Sequence, residues 1–244
     1  MQLSHLNINH TDFKTGAVIL VNKPYGKTSF FAVELVKRAL KKFTHGENIK
    51  IGHAGTLDPL ATGLLIMCTG KMTRNIQDYQ SLDKKYSGII RLGASTPSYD
   101  LETEINETRP FEHLSETALY QCAERFVGSI EMVPPIHSAV KINGKRSYLM
   151  ARQGHQPELK PRTVQIQQFK IDPTGIPDIR FEVICSKGTY IRSLAHEFGL
   201  LLDTRAHLAE LKREAIGHFE LSGAFDLDEL VTLLRSPSEA EFEH

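Results

Sequence analysis

Apolar and polar positions follow two rhythms along this chain, and the rhythms divide it into elements. Residues 17–21, AVILV, form an unbroken apolar run of strand length, which predicts a short buried strand. NKPYGKTS follows as a turn. Thr28 or Ser29 can cap a helix running to about Phe43, with Phe31, Leu35 and Ala39 on its apolar side and basic residues opposite. LLIMC reads as a buried strand and Thr73 to Tyr79 as a helix. Lys84 to Gly93 looks like a strand, and ASTPSYDLETE after it like a polar loop. Ser115 to Phe126 is helical, with Leu119, Ala123 and Phe126 on one face. A Pro-Pro break comes next, then a hairpin signal at Asn143-Gly144. Thr163 to Ile171 and Ile179 to Cys185 read as strands; in the second, Arg180, Glu182 and Ile184 alternate with Phe181, Val183 and Cys185. KGTYIRSLAHEFG turns into a helix through about Leu202. HLAELKREAIGHFEL predicts a strand plus a turn, and Asp226 to Leu234 a short helix with Asp226 as its cap. Strands and helices mix without regular βαβ alternation. That favours an α+β fold with a mixed, mostly antiparallel sheet flanked by helices.

Composition narrows the class. The 244 residues are 41% hydrophobic, ample for one large domain or one domain with a subdomain. No repeat and no clean linker divides the chain. Cys68, Cys122 and Cys185 form no CxxC pair, so neither a zinc knuckle nor a disulfide framework is indicated, and a reducing compartment is expected. The N-terminal MQLSHLNINHTDFKTG does not read as a signal peptide, and no stretch approaches the roughly 18 apolar residues of a membrane span. The expectation is a cytoplasmic protein. Formal net charge is zero, which by itself does not suggest nucleic acid. The distribution changes that picture. Lys37, Arg38, Lys41, Lys42 and Lys50 face only Glu47, and Lys141, Lys145, Arg146, Arg152, Lys160 and Arg162 face only Glu158. Acids gather from Asp226 to Glu243. A neutral chain can thus carry a basic face.

Candidate chemistry centres on GHAGTLDPLATGLL, residues 52–65. Asp58 stands before a proline, which keeps it out of the helical region. Gly55 and Gly63 permit close approach of a ligand. Leu57, Leu60, Leu64 and Leu65 would limit water around the carboxylate, which then needs a cation to stay ionised. His53 lies in the same loop. Arg192 in GTYIRS could supply the cation; if a strand continues that far, Tyr190 and Arg192 share one face. Tyr86, framed by lysines in KKYSG, could stack a base while the lysines hold phosphate. Taken singly, each also fits an ordinary turn, surface or core residue. A P-loop, a zincin pair and GxSxG are all absent, and the eleven histidines show no metal spacing. No metal and no organic cofactor are expected.

Five ordered stretches carry a resemblance. VNKPYGKTS, GHAGTLDPLATGLL, KKYSGIIRLGASTPSYD, PPIHSAVKINGKRSYLMARQG and CSKGTYIRSLAHEFG together resemble the motifs of the TruB family of tRNA pseudouridine synthases, distributed over nearly the whole chain. The resemblance implies the pseudouridine synthase fold and isomerisation of one T-loop uridine, position 55 in standard tRNA numbering. It implies that Asp58 is the catalytic aspartate and that Tyr86 stacks on the target base. It implies that Arg192 pairs with the catalytic carboxylate, with Tyr190 beside it. It places His53 on the flipped-out nucleotides, Leu211 in the lining of the uracil pocket, Lys23 among the substrate-binding residues and Asp100 as an acid near the site. His137 stands where the family often has tyrosine. The expected organisation is a catalytic domain over 1–235 and an acidic tail over 236–244, without a full PUA domain. The expected partner is the T-arm of elongator tRNAs, bound by a monomer with no obligate protein partner. Two other classes compete: a tRNA-binding folding factor, and a small-molecule glycosidase, which would lack an obvious second carboxylate.

Overall fold

The computed structural model describes residues 2–4, 7–138, 140–142, 144–147, 150 and 159–235. The tail expected at 236–244 therefore lies outside the described residues, as does Arg152. In chain order the elements are β1 (Val18–Lys23), α1 (Ser29–Phe43), β2 (Ile51–His53), β3 (Thr62–Thr69), α2 (Ile76–Ser81), β4 (Lys84–Leu92), β5 (Ala94–Ser95), β6 (Glu107–Thr108) and α3 (Glu116–Glu124). Then follow β7 (Gly128–Met132), β8 (Lys141–Ile142), β9 (Lys145–Arg146), β10 (Arg162–Asp172), β11 (Asp178–Cys185), α4 (Ile191–Leu201), β12 (Ala206–Ile216), β13 (Phe219–Glu220), β14 (Phe225–Asp226) and α5 (Leu227–Arg235). The pairings are mixed and mostly antiparallel, as expected for this α+β class. No helix among the described residues is long and apolar enough to cross a membrane.

The chain forms two compact units. One takes the chain up to Lys84 and resumes at Lys212; the other is Lys85–Leu211.

In the first unit, β1 pairs antiparallel with β3 and parallel with β14, β2 adds to β3, and Lys212 and Arg213 of β12 pair parallel with Thr62 and Gly63. Alternation along β1 and β3 sends side chains to two cores. Ile19, Val21, Leu65 and Met67 pack under α1 and α5; Val18, Leu20, Leu64, Ile66 and Cys68 pack on the other face with Ile216 and Phe219. Leu64 and Leu65 are therefore core residues of opposite faces, not walls of a pocket around Asp58, because neighbours on a strand cannot share a face. Helix α1 starts as expected. The Thr28 side chain accepts from Phe31 N at 3.0 Å, a cap typically worth about 1 kcal/mol. Its buried side is Ala32, Val36, Ala39 and Leu40, with Leu35 half-buried; Phe31 is exposed. The expected apolar side is thus rotated, since small residues let the helix sit close to the sheet. The expected helix at Thr73 begins as a 3-10 turn over Gly70–Asn75 and becomes α-helical only at Ile76.

In the second unit the strand order is β12-β4-β11-β10-β7, with α3 and α4 covering one face. Phe126, Phe169, Phe181 and Phe198 meet there at centroid separations of 5.9–6.2 Å, mostly edge-to-face, the preferred geometry of aromatic cores. The alternation in β11 holds: Ile179, Phe181, Val183 and Cys185 are buried. β8 and β9 form the expected hairpin. β11 ends at Cys185, however, and α4 begins at Ile191.

Candidate active site

The loop between β2 and β3 carries Asp58, and its shape is imposed from three directions within its own unit. Ser29, at the first position of α1, donates its hydroxyl to Leu57 O (3.1 Å) and accepts from Leu57 N (2.9 Å). On the other side of Asp58, Pro59 O accepts from Gly26 N (2.9 Å) and from Lys23 Nζ (3.3 Å). Arg213, fully buried in β12, donates Nε to Leu64 O (2.7 Å) and its guanidinium to Gly55 O (3.0 Å). Asp58 O accepts from Ala61 N at 3.1 Å, closing a turn that leads into β3. Gly63 is obligatory there. Its φ is +100°, and a Cβ would lie 2.4 Å from the backbone oxygen of Arg213. Asp58 itself is half-buried.

The electrostatics follow from this packing. Lys23 is fully buried, and its ammonium donates to the carbonyls of Pro24 (2.8 Å), Lys27 (2.6 Å) and Pro59. Burial lowers its pKa to about 8; the Asp58 carboxylate opposes that shift and the Arg213 guanidinium adds to it. Asp58 is thus electrostatically coupled to a cation of its own unit. His53, in β2, has a buried Nδ1 without a hydrogen-bond partner. Burial holds its imidazole below the ordinary value, partly offset by the Gly55 backbone and reinforced by Arg213, so the ring is neutral at pH 7.

In the second unit, Arg192 is the second residue of α4 and is buried. Its guanidinium donates to Ser98 O (3.1 Å) and His137 O (3.0 Å), and its Nε lies 3.6 Å from Asp100 Oδ2. Asp100, also buried, accepts from Glu102 N at 3.0 Å. Its loop is stitched by Thr96 and Ser98 hydroxyls donating to Asp100 O. Tyr190 occupies the N-cap position of α4 without a side-chain capping bond and donates its N–H to Met132 Sδ at 3.2 Å. The expectation that Tyr190 and Arg192 share a strand face fails, because Gly188, at φ +84°, and the helix start intervene. Tyr86 is buried on β4, on the same side of that strand as Ile90 and Leu92. Of the two lysines beside it, Lys84 is engaged by the protein, while Lys85 stays partly exposed in a surface ion pair. Buried Lys84 donates to Gln80 O and Leu82 O, and Lys85 pairs with Glu182 at 3.1 Å. Leu211, half-buried on β12, is the last residue of this unit. Among the described residues, no group of three or more His, Cys, Asp or Glu is arranged to hold a metal ion.

Residues 37–191 match the model of the TruB family pseudouridylate synthase N-terminal domain. The chain belongs to the TruB family. It is 46% identical over 217 residues to the tRNA pseudouridine synthase B of Flavobacterium johnsoniae, covering 88% of this chain and 95% of that relative. The enzyme of the same name from Chlorobaculum tepidum is also 46% identical, over 88% of this chain and 90% of its own length. Among solved structures, a chain of the Cbf5-Nop10-Gar1 complex superposes with a TM-score of 0.71 at 29% identity. The match covers 95% of this chain and 58% of that one, so this chain spans little more than half of that solved chain's length. An H/ACA RNP bound to a substrate RNA containing 2′-deoxyuridine gives a TM-score of 0.65 at 26% identity, covering 96% and 56%.

Within this TruB-family chain, Asp58 is legible in the sequence, but two residues that shape its loop are not. In the sequence Ser29 resembles a helix cap, and Arg213 has no distinguishing pattern. Arg213 lies 158 residues from Gly55, and no local pattern links them or marks this arginine as buried. Lys23 also yields a pH prediction. Its native pKa, about 8, lies below its ordinary 10.5, so the unfolded chain binds more protons between those values. Stability contributed at this site therefore rises with pH through that window. Urea unfolding at about pH 8 and pH 10 is expected to show wild type gaining on Lys23→Met as pH rises. A difference independent of pH would mean that Lys23 stays charged when folded.

Proposed function

We propose that this chain is a tRNA pseudouridine synthase, an isomerase that converts the T-loop uridine at position 55 of elongator tRNAs to pseudouridine, with Asp58 as its catalytic carboxylate. The observation that carries this reading is the 46% identity, over 95% of the relative's length, to an enzyme named tRNA pseudouridine synthase B. The Asp58 loop suits the task. Its backbone is anchored at Gly55, Leu57 and Pro59, which holds the half-buried carboxylate in a defined place.

The reaction breaks the N1–C1′ bond, turns the uracil, joins C5 to C1′, releases the C5 proton and puts a proton from solvent on N1; atoms and electrons balance without a redox partner. Asp58 acts at the sugar, where a carboxylate serves either as nucleophile or as base. A closed pocket keeps water from the detached uracil. A uridine inside a folded loop must be flipped out, and Tyr86 is assigned the ring it stacks on. Arg192 belongs to the catalytic set, Tyr190 and Leu211 to the uracil pocket, His53 to the neighbouring flipped nucleotides, and Lys23 and Asp100 to the substrate-binding set. A neutral His53 suits stacking better than a charged one, since it adds no desolvation cost.

The test is tritium release from tRNA transcribed with uridine labelled at C5. Stoichiometric release of one label per tRNA is the expected result. No release while the tRNA stays bound would make the chain a tRNA-binding protein and overturn the proposal.

A further inference from the structure

Three large aromatic side chains stand in solvent around the Asp58 loop: Tyr25 is 62% exposed, Phe30 71% and Phe31 43%. Their placement is built in. The turn holding Tyr25 is tied to Pro59 through Gly26 N, and the helix start holding Phe30 and Phe31 is tied to Leu57 through Ser29. Both neighbours of Asp58 in the chain are therefore bonded to the segment that carries the rings. Lys27 Nζ sits 5.0 Å above the Phe31 ring.

The rings begin a continuous face of α1. Phe30, Glu34, Lys37 and Lys41 recur at helical spacing, with Phe31, Arg38 and Lys42 beside them, while Ala32, Val36, Ala39 and Leu40 point into the core. Over about 16 Å of helix the outward side passes from aromatic to cationic. Glu34 is the single acid of α1, and it pairs with Lys37 at 3.5 Å. Lys41 and Lys42 lie in the last turn, where a helix favours cations anyway. Lys37 and Arg38 are mid-helix and have no such explanation. Single exposed apolar residues are ordinary, but three exposed rings within seven residues, on segments bonded to the Asp58 loop, are not.

We infer that this face of α1, with Tyr25, is a docking surface for RNA outside the target nucleotide. Unpaired bases of the substrate stack on the rings, and its phosphates lie along Lys37, Arg38 and Lys41. Rings and cations in succession complement the alternation of bases and anionic backbone, which a purely apolar or purely charged partner would not use. The inference rests on the tRNA reading above and extends it to a second contact region.

The experiment measures tRNA affinity by fluorescence anisotropy across a salt series, and single-turnover tritium release at saturating enzyme. It compares wild type, Phe30→Ala/Phe31→Ala and Lys37→Gln/Arg38→Gln, with melting curves to confirm folding. The aromatic variant is expected to bind about 10-fold or more weakly, with an unchanged salt slope. The charge variant is expected to lower the slope of log affinity against log salt by about 1 to 2. Both are expected to keep the saturated rate. Wild-type affinity and slope in both variants would overturn the surface while leaving the isomerase intact. A slower saturated rate with unchanged affinity would also overturn it, assigning the rings to shaping the Asp58 loop. A wild-type protein that neither binds tRNA nor releases tritium would overturn both readings together.

Discussion

Asp58→Asn is expected to reduce tritium release to background, a loss of about 10⁴-fold or more, while tRNA affinity stays within about twofold of wild type. The size of the loss follows from the role: an amide is neither a competent nucleophile nor a base at the sugar. The retained affinity follows from the packing. Leu57 is held by Ser29, Pro59 by Gly26 and Lys23, and Gly55 by Arg213, and the substitution leaves all of these anchors in place. The substitution keeps the side-chain shape. It also removes the negative charge that raises the Lys23 pKa, so that amine is expected to lose its proton at still lower pH. Loss of binding together with turnover would make Asp58 an anchor and not a reagent.

Arg192→Ala is expected to have the largest effect on stability. The guanidinium is buried, donates to the carbonyls of Ser98 and His137, and lies beside the buried Asp100 carboxylate. Truncation leaves two carbonyls and an anion without their cation, which costs about 3–5 kcal/mol in buried pairs. Arg192→Lys is expected to recover little, because a single ammonium cannot reach three acceptors spread across a planar fork. Arg192→Met combined with Asp100→Asn is expected to be less damaging than Arg192→Met alone, since it removes the stranded charge. Urea midpoints read all four. A change below about 0.5 kcal/mol for Arg192→Ala would mean that water replaces the guanidinium at no cost.

Local chemistry was the most legible part of this protein. The Thr28 cap, the run of β1 and the alternation in β11 are written within windows of a few residues, because a helix start or a half-buried strand leaves a local signature. Asp58 stood out for the same reason: a carboxylate before proline, between glycines, is a local peculiarity. Expectations that needed a neighbour in space fared less well. Leu64 and Leu65 looked like walls around Asp58 but face two separate cores. Tyr190 and Arg192 looked like strand partners, yet a glycine turn starts a helix between β11 and Arg192. Lys84 looked like a phosphate ligand but is spent on its own chain's carbonyls.

By itself, then, the sequence determined the α+β class, most element positions, the family resemblance and the candidate carboxylate. Each of these is recorded in composition, period or an ordered motif. Only the tertiary structure decided what surrounds that carboxylate: Lys23 buried against three carbonyls, Ser29 locked to Leu57, and Arg213 reaching Gly55 across 158 residues. The physical reason is that periodicity reports whether a side chain meets water. It does not report which distant backbone oxygen a buried cation must find, and that choice is made only when the strands pair.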